Sequence, residues 1–210
     1  MNLLSKFIDK NILAPSRRMK ETQFEELHPA GGEVLFLGDS ITEGGAWHEW
    51  FPDVQVLNRG ISGDTTAGVL GRVETALRGG PSKVFLLIGT NDISWKTPVA
   101  ESVENVAETV RRIRSAQSEP EVILQSVMPR KAKFAARVRE LNHEYEKLAA
   151  GPGIQYLDLW PALSDNDGAL RPEFTLDGLH LTGAGYRAWT RVLEPMVNDG
   201  QQPAQAGPSS

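Results

Sequence analysis

The chain has 210 residues, 40% hydrophobic and 23% charged, enough for one domain with a full core. A net charge of −5, a pI near 5.5 and no long lysine/arginine run exclude the electrostatic footprint of a nucleic-acid binder, so no nucleic-acid partner is expected. The absence of cysteine excludes disulfides, thiolate catalysis and cysteine-ligated zinc, and fits a reducing, cytoplasmic setting.

In chain order, the opening "MNLLSKFIDKNILAPSRR" places Leu3, Leu4, Phe7 and Ile8 at helical spacing, interrupted by Lys6, Asp9 and Lys10. Residues 1–30 are therefore read as an amphipathic segment packed on the body. The competing reading is a membrane-surface or partner-binding helix carrying Lys6, Lys10, Arg17 and Arg18. No stretch approaches the roughly 20 apolar residues of a transmembrane helix, and no signal peptide or integral membrane segment is expected.

From residue 31 the chain alternates. Apolar, β-branched runs at Val34–Leu37, Val54–Leu57, Val84–Ile88, Val122–Val127 and Ile154–Leu157 are separated by helical stretches near 66–78, 98–116, 132–150 and 183–197. Runs apolar at successive positions suit strands covered on both faces. This predicts an α/β fold with a mainly parallel five-stranded sheet between helical layers over residues 31–197. The polar Pro/Gly/Ser stretch 198–210 is expected to be a disordered tail.

Ligands of open parallel sheets bind at the carboxyl ends of the strands. The first run stops at Gly38-Asp39-Ser40, the second leads into "NRGISGDTT" and the third into "GTND". A serine hydroxyl at such an edge becomes nucleophilic only beside a base. Of the four histidines, His28 precedes Pro29, His48 lies between Trp47 and Glu49, and His143 lies mid-helix where solvated residues belong. His180 stands in "TLDGLHLTGAGY", three residues after Asp177. A carboxylate at that spacing can fix the imidazole tautomer and stabilise the imidazolium. Donors for a developing oxyanion are available from the Ser40 and Gly63 backbone amides and the Asn91 side chain. Each residue alone also reads as a turn or cap residue; their coincidence at three strand ends points to acyl transfer.

The set Gly38-Asp39-Ser40, Gly63 in "GISGDTT", Asn91 in "GTND" and Asp177-x-x-His180 resembles the four sequence blocks of SGNH, or GDSL-type, esterases and lipases, in the family's order over roughly residues 33–195. "NRGISGDTT", "GTND" and "LHLTGAGY" are most similar to the branch with platelet-activating-factor acetylhydrolase catalytic subunits and small bacterial acyl esterases. Ile41 stands where the family's name letters have leucine. The resemblance implies a flavodoxin-like three-layer α/β/α sandwich and Ser40 as nucleophile. It further implies His180 as base supported by Asp177, and an oxyanion hole from Ser40, Gly63 and Asn91. It also suggests a homodimer, and no metal or organic cofactor is required.

Competing motifs are weak. The chain has no His-Glu-x-x-His, no glycine-rich phosphate loop and no Gly-x-Ser-x-Gly elbow, and "SDNDGAL" (164–170) lacks the terminal glutamate of a calcium loop and reads as a turn. Asp39, Trp47 and Trp95 are candidate substrate-binding residues; the loops bearing Trp47, Trp50 and Phe51 and Trp95 are expected to flank the mouth of the site, with Trp50 and Phe51 alternatively part of the core. No lid insertion is seen, which favours a small-molecule ester with a short, acetyl-sized acyl group. The alternatives are a lysophospholipase or thioesterase acting on longer chains, and a non-catalytic binding module on the same fold.

Overall fold

Side chains alternate across a strand, so a strand apolar at every position needs cover on both faces. A computed structural model, describing residues 14–199, meets that demand. Five strands, β1 (Val34–Gly38), β2 (Val56–Gly60), β3 (Lys83–Leu87), β4 (Glu121–Gln125) and β5 (Ile154–Leu157), form one sheet in the order β2-β1-β3-β4-β5. Every neighbouring pair is parallel.

Between and around the strands run α1 (Ala14–Glu26), α2 (Ser40–Glu43), α3 (Trp47–Trp50), α4 (Thr66–Ala76), α5 (Thr90–Trp95), α6 (Val99–Arg114), α7 (Ala135–Ala149), α8 (Trp160–Leu163) and α9 (Gly183–Val197). Leu35, Leu37, Val84 and Leu86 face one core with Val69 and Val73 of α4, Val106 and Ile113 of α6 and Tyr145 of α7. Val34, Phe36, Phe85 and Leu87 face the other, with Trp47 of α3 and Trp189 and Leu193 of α9. The α/β/α sandwich expected from the alternation is thus the observed architecture.

Sequence boundaries shift where partners override local preference. The second strand was expected at Val54–Leu57 but runs through Asn58, Arg59 and Gly60, because β1 supplies a parallel partner for each of them. Asn58 keeps its polar atoms satisfied there, its Nδ2 donating to the Glu43 and Gly45 carbonyls and its Oδ1 accepting from Gly60 N–H. Asn142, next to the exposed His143 on α7, is buried. Its amide takes both main-chain groups of Val127, at 2.7 Å and 2.9 Å.

Leu3, Leu4, Phe7 and Ile8 lie outside the described residues, as does the tail from Gly200. The described part of the N-terminal segment, α1, buries Phe24, over whose ring the Arg59 guanidinium sits at 4.6 Å. Among the described residues no helix is long and apolar enough to cross a membrane. "SDNDGAL" is a turn: Asp165 Oδ1 accepts the N–H groups of Asp167 and Ala169, so its carboxylate caps its own loop.

In this strand order the chain leaves β1 toward one side and returns to β3 on the other. The carboxyl ends of β1 and β3 therefore flank the crevice where such sheets bind ligands.

Candidate active site

The serine at the end of the first strand is delivered by a turn only glycine permits. A Cβ on Gly38 would lie 2.2 Å from the Leu87 carbonyl oxygen and 2.3 Å from Thr42 Oγ1, so β1, β3 and α2 close onto one another there. Asp39 follows in extended conformation as N-cap of α2, its carboxylate accepting from Ile41 N–H at 3.0 Å. Ser40 is therefore the first residue of α2, and its own N–H has no intrahelical partner. From α9, Tyr186 donates its hydroxyl to the Ile41 carbonyl at 2.7 Å, tying this short helix to the far end of the chain.

The turn at 175–180 brings the other two groups to the same edge. Ser40 Oγ lies 3.0 Å from His180 Nε2, and His180 Nδ1 lies 2.7 Å from Asp177 Oδ2. Asp177 Oδ1 accepts the backbone N–H groups of Leu179 and His180, both at 2.8 Å. Partial burial works to raise the Asp177 pKa, but the hydrogen bonds from the His180 ring and those two amides outweigh it and hold the carboxyl well below the usual carboxylate range. An ionised acceptor at Nδ1 keeps the ring proton there and leaves the Nε2 lone pair facing the hydroxyl.

Three donors surround the same point. Gly63 has φ of 77°, a left-handed conformation a side chain disfavours, and its N–H donates to no acceptor among the described residues. The Ser40 N–H is likewise unused. Asn91, at the start of α5, gives one Nδ2 proton to the Asp64 carbonyl at 2.7 Å, which leaves the second for a ligand.

A hydroxyl against an imidazole, an imidazole against a carboxylate and uncommitted amide protons from three strand ends are the apparatus of acyl transfer. A model of the GDSL-like Lipase/Acylhydrolase family matches residues 36–188, spanning all these positions. The chain belongs to this family. It is a carboxylic ester hydrolase. Platelet-activating factor acetylhydrolase IB subunit alpha1 of Rattus norvegicus is 30% identical over 179 residues, covering 79% of this chain and 75% of that protein. A solved protein from Streptococcus pneumonia superposes with a TM-score of 0.84 at 29% identity, covering 94% of this chain and all of that one. A GDSL-like lipase from Bacteroides thetaiotaomicron superposes with a TM-score of 0.76 at 26% identity, covering 88% and 98% of the two chains.

Behind the donors, the GDSL hydrolase carries a buried network that local patterns do not reveal. Arg72 of α4 pairs with Asp64 at 2.7 Å, both almost wholly buried, and its Nη2 donates to the Gly38 and Arg59 carbonyls at 3.0 Å. One guanidinium thus joins the ends of β1 and β2 to the residue after Gly63. Asp92 accepts Thr66 N–H at 3.0 Å and Thr66 Oγ1 at 2.7 Å, joining the Asn91 segment to the start of α4. Burial raises the pKa of both Asp64 and Asp92, opposed by Arg72 in the first case and the Thr66 hydrogen bonds in the second. The only sequence signal for these roles is polarity inside the "GDTT" and "GTND" segments.

Two candidate substrate contacts are corrected. Trp47 is 1% exposed: its ring stacks on Phe36 at 4.0 Å, meets Trp189 edge-on at 4.8 Å and donates Nε1–H to the Thr42 carbonyl. Phe51 lies in the same core. These aromatics fill the second layer because α3 folds back over β1. Asp39 is likewise 1% exposed and committed to capping, so it faces backbone rather than ligand. Trp95, at the end of α5, is half-buried and remains available. His28, His48 and His143 are exposed, and none contacts Ser40. A concavity of about 600 Å³ lined by Arg114, Glu119, Pro120 and Gly153 opens at the amino ends of β4 and β5, the opposite edge from Ser40.

Burial pushes the Asp39 pKa up to about 7, the Ile41 amide only partly offsetting it. In the unfolded chain the group titrates near ~3.9. Between these values the folded state holds the extra proton, so stability falls as pH rises from about 4 to 7 and is flat above. Asp39→Asn keeps the capping oxygen and removes the charge. It is expected to stabilise the protein by a few kcal/mol (~4 at most) at pH 8 and by little at pH 4.5. Urea midpoints at the two pH values check this, and an equal shift at both would remove the charge as the cause.

Proposed function

We propose that this hydrolase cleaves short-chain acyl esters, acetyl esters above all, by way of an acyl-enzyme on Ser40. The observation that carries the reading is the unbroken contact chain from Ser40 Oγ through the His180 ring to Asp177, at 3.0 Å and 2.7 Å. Ser40 Oγ bonds to the ester carbonyl carbon while its proton passes to His180 Nε2. The carbonyl oxygen takes the negative charge and is held by the Ser40 and Gly63 N–H groups and the free Asn91 Nδ2 proton. The bond to the leaving alcohol breaks and the alcohol departs with the proton from Nε2. Water then repeats the sequence on the acyl-serine and releases the acid.

The relatives named acetylhydrolase support the short acyl group. The same relatives are named as subunits, which supports an oligomeric assembly, read here as a homodimer. Across p-nitrophenyl acetate, butyrate and octanoate, kcat/KM is expected to fall by at least ~10-fold from first to last, since a pocket one methylene too small already discriminates by ~10-fold or more. A rise along the series would replace this reading with a lysophospholipase or thioesterase. Asn91→Ala is expected to slow kcat by ~10²–10³-fold with a smaller change in KM, the usual cost of one oxyanion donor. Unchanged turnover would take Asn91 out of the site.

A further inference from the structure

Arg130 is a charge the hydrolytic steps leave unused. It follows β4 at the same sheet edge as Ser40 and is only 7% exposed. Its Nη1 donates to the Thr90 carbonyl and to Ser94 Oγ, both at 2.8 Å, on the helix that carries Asn91. The Phe134 ring lies beneath the guanidinium at 4.4 Å. Among the described residues Nε is buried without a partner, and Nη2 makes no hydrogen bond but is not sealed from solvent. Arg130 has no ion-pair partner there either, which is uncommon for a buried guanidinium. The carboxylates whose charges act on it are Asp39 and Asp177. Both are spoken for, Asp39 by the Ile41 amide and Asp177 by the His180 ring and two amides.

Two further cations flank it. Lys131 donates its N–H to the Gly178 carbonyl at 3.2 Å and lays its side chain along Gly178, between Asp177 and His180. Lys133 reaches over the Phe134 ring at 5.0 Å. Both lysines are exposed, and neither has a carboxylate within 4 Å among the described residues, whereas Arg18, Lys20, Arg111, Arg112 and Lys147 are paired. In a chain of net charge −5, this leaves a local excess of positive charge beside the His180 turn.

We infer that Arg130, Lys131 and Lys133 form a subsite for a carboxylate or phosphate on the alcohol portion of the ester, making acyl esters of negatively charged alcohols the preferred substrates. The inference rests on the esterase reading: a two-carbon acyl group has no room for the charge, so the alcohol must carry it. A guanidinium edge with free donors is completed by such a group, and lysines at its rim add attraction that salt weakens.

The test separates binding from turnover. In a Ser40→Ala background, calorimetric titration with 4-acetoxybenzoate is expected to give an affinity at least ~10-fold above that for neutral 4-acetoxybenzamide, the scale of one charge-assisted hydrogen bond. The preference should shrink in 0.5 M NaCl, and again with either Arg130→Gln or the exposed pair Lys131→Gln/Lys133→Gln. Equal affinity for the two esters, or a preference that survives both sets of substitutions, overturns the subsite. A binding preference without hydrolysis of either ester by the unmodified protein keeps the subsite and removes the esterase reading. Sedimentation with phosphatidylglycerol vesicles, lost in the lysine pair, assigns the anion to a lipid headgroup; preference for the soluble ester without sedimentation assigns it to a small molecule.

Discussion

Ser40→Ala is expected to lower kcat for p-nitrophenyl acetate by something like ~10⁴–10⁶-fold while leaving the far-ultraviolet circular dichroism spectrum unchanged. The asymmetry follows from what the side chain touches. Its hydroxyl contacts His180 alone, whereas the elements that hold the turn are the Gly38 close approach, the Asp39 cap and the Tyr186 hydrogen bond. Alanine removes none of these and is itself favourable in a helix. The covalent route is closed, but the amide donors survive, so a residual rate above that of water is expected. Wild-type turnover in the variant would eliminate Ser40 as nucleophile.

Asp177→Asn should cost about 10⁴-fold in kcat near neutral pH, although it changes one atom type. Oδ1 is claimed by two backbone N–H groups, so an asparagine must place its carbonyl oxygen there and its NH₂ at the Oδ2 position. That NH₂ then faces His180 Nδ1, 2.7 Å away in the native arrangement, and two donors cannot share one contact. The ring must move its proton to Nε2, where it can no longer accept from Ser40. Because the same two amides still bind the substituted side chain, the turn is retained and KM is expected to change far less than kcat. Steady-state kinetics on one ester give both quantities, and a kcat within tenfold of wild type would show that Asp177 does not set the tautomer.

The candidate site was more legible than its support. Each segment that faces the crevice is marked locally, by glycine near a hydroxyl, amide or imidazole, and such marks survive without knowledge of what packs behind them. Arg72 and Asn142 carry no such mark. They are polar residues on helices, yet both are buried because a main-chain carbonyl from another segment accepts from each. Trp47 failed in the opposite direction: its position seven residues after Ser40 suggests a mouth, while the fold-back of α3 turns it inward onto Phe36.

By itself the chain's pattern determined the class of fold, through strands apolar on successive residues, and the chemical types assembled at the carboxyl edge of the sheet. Both depend on near neighbours along the chain. Only the tertiary structure decided that Ser40 and His180, separated by 140 positions, stand 3.0 Å apart, that Asp64 and Arg72 are buried as a pair, and that Arg130 is buried with its Nε unpartnered among the described residues. The physical reason is that desolvation and hydrogen-bond completion are properties of surroundings, and those surroundings come from segments remote in sequence.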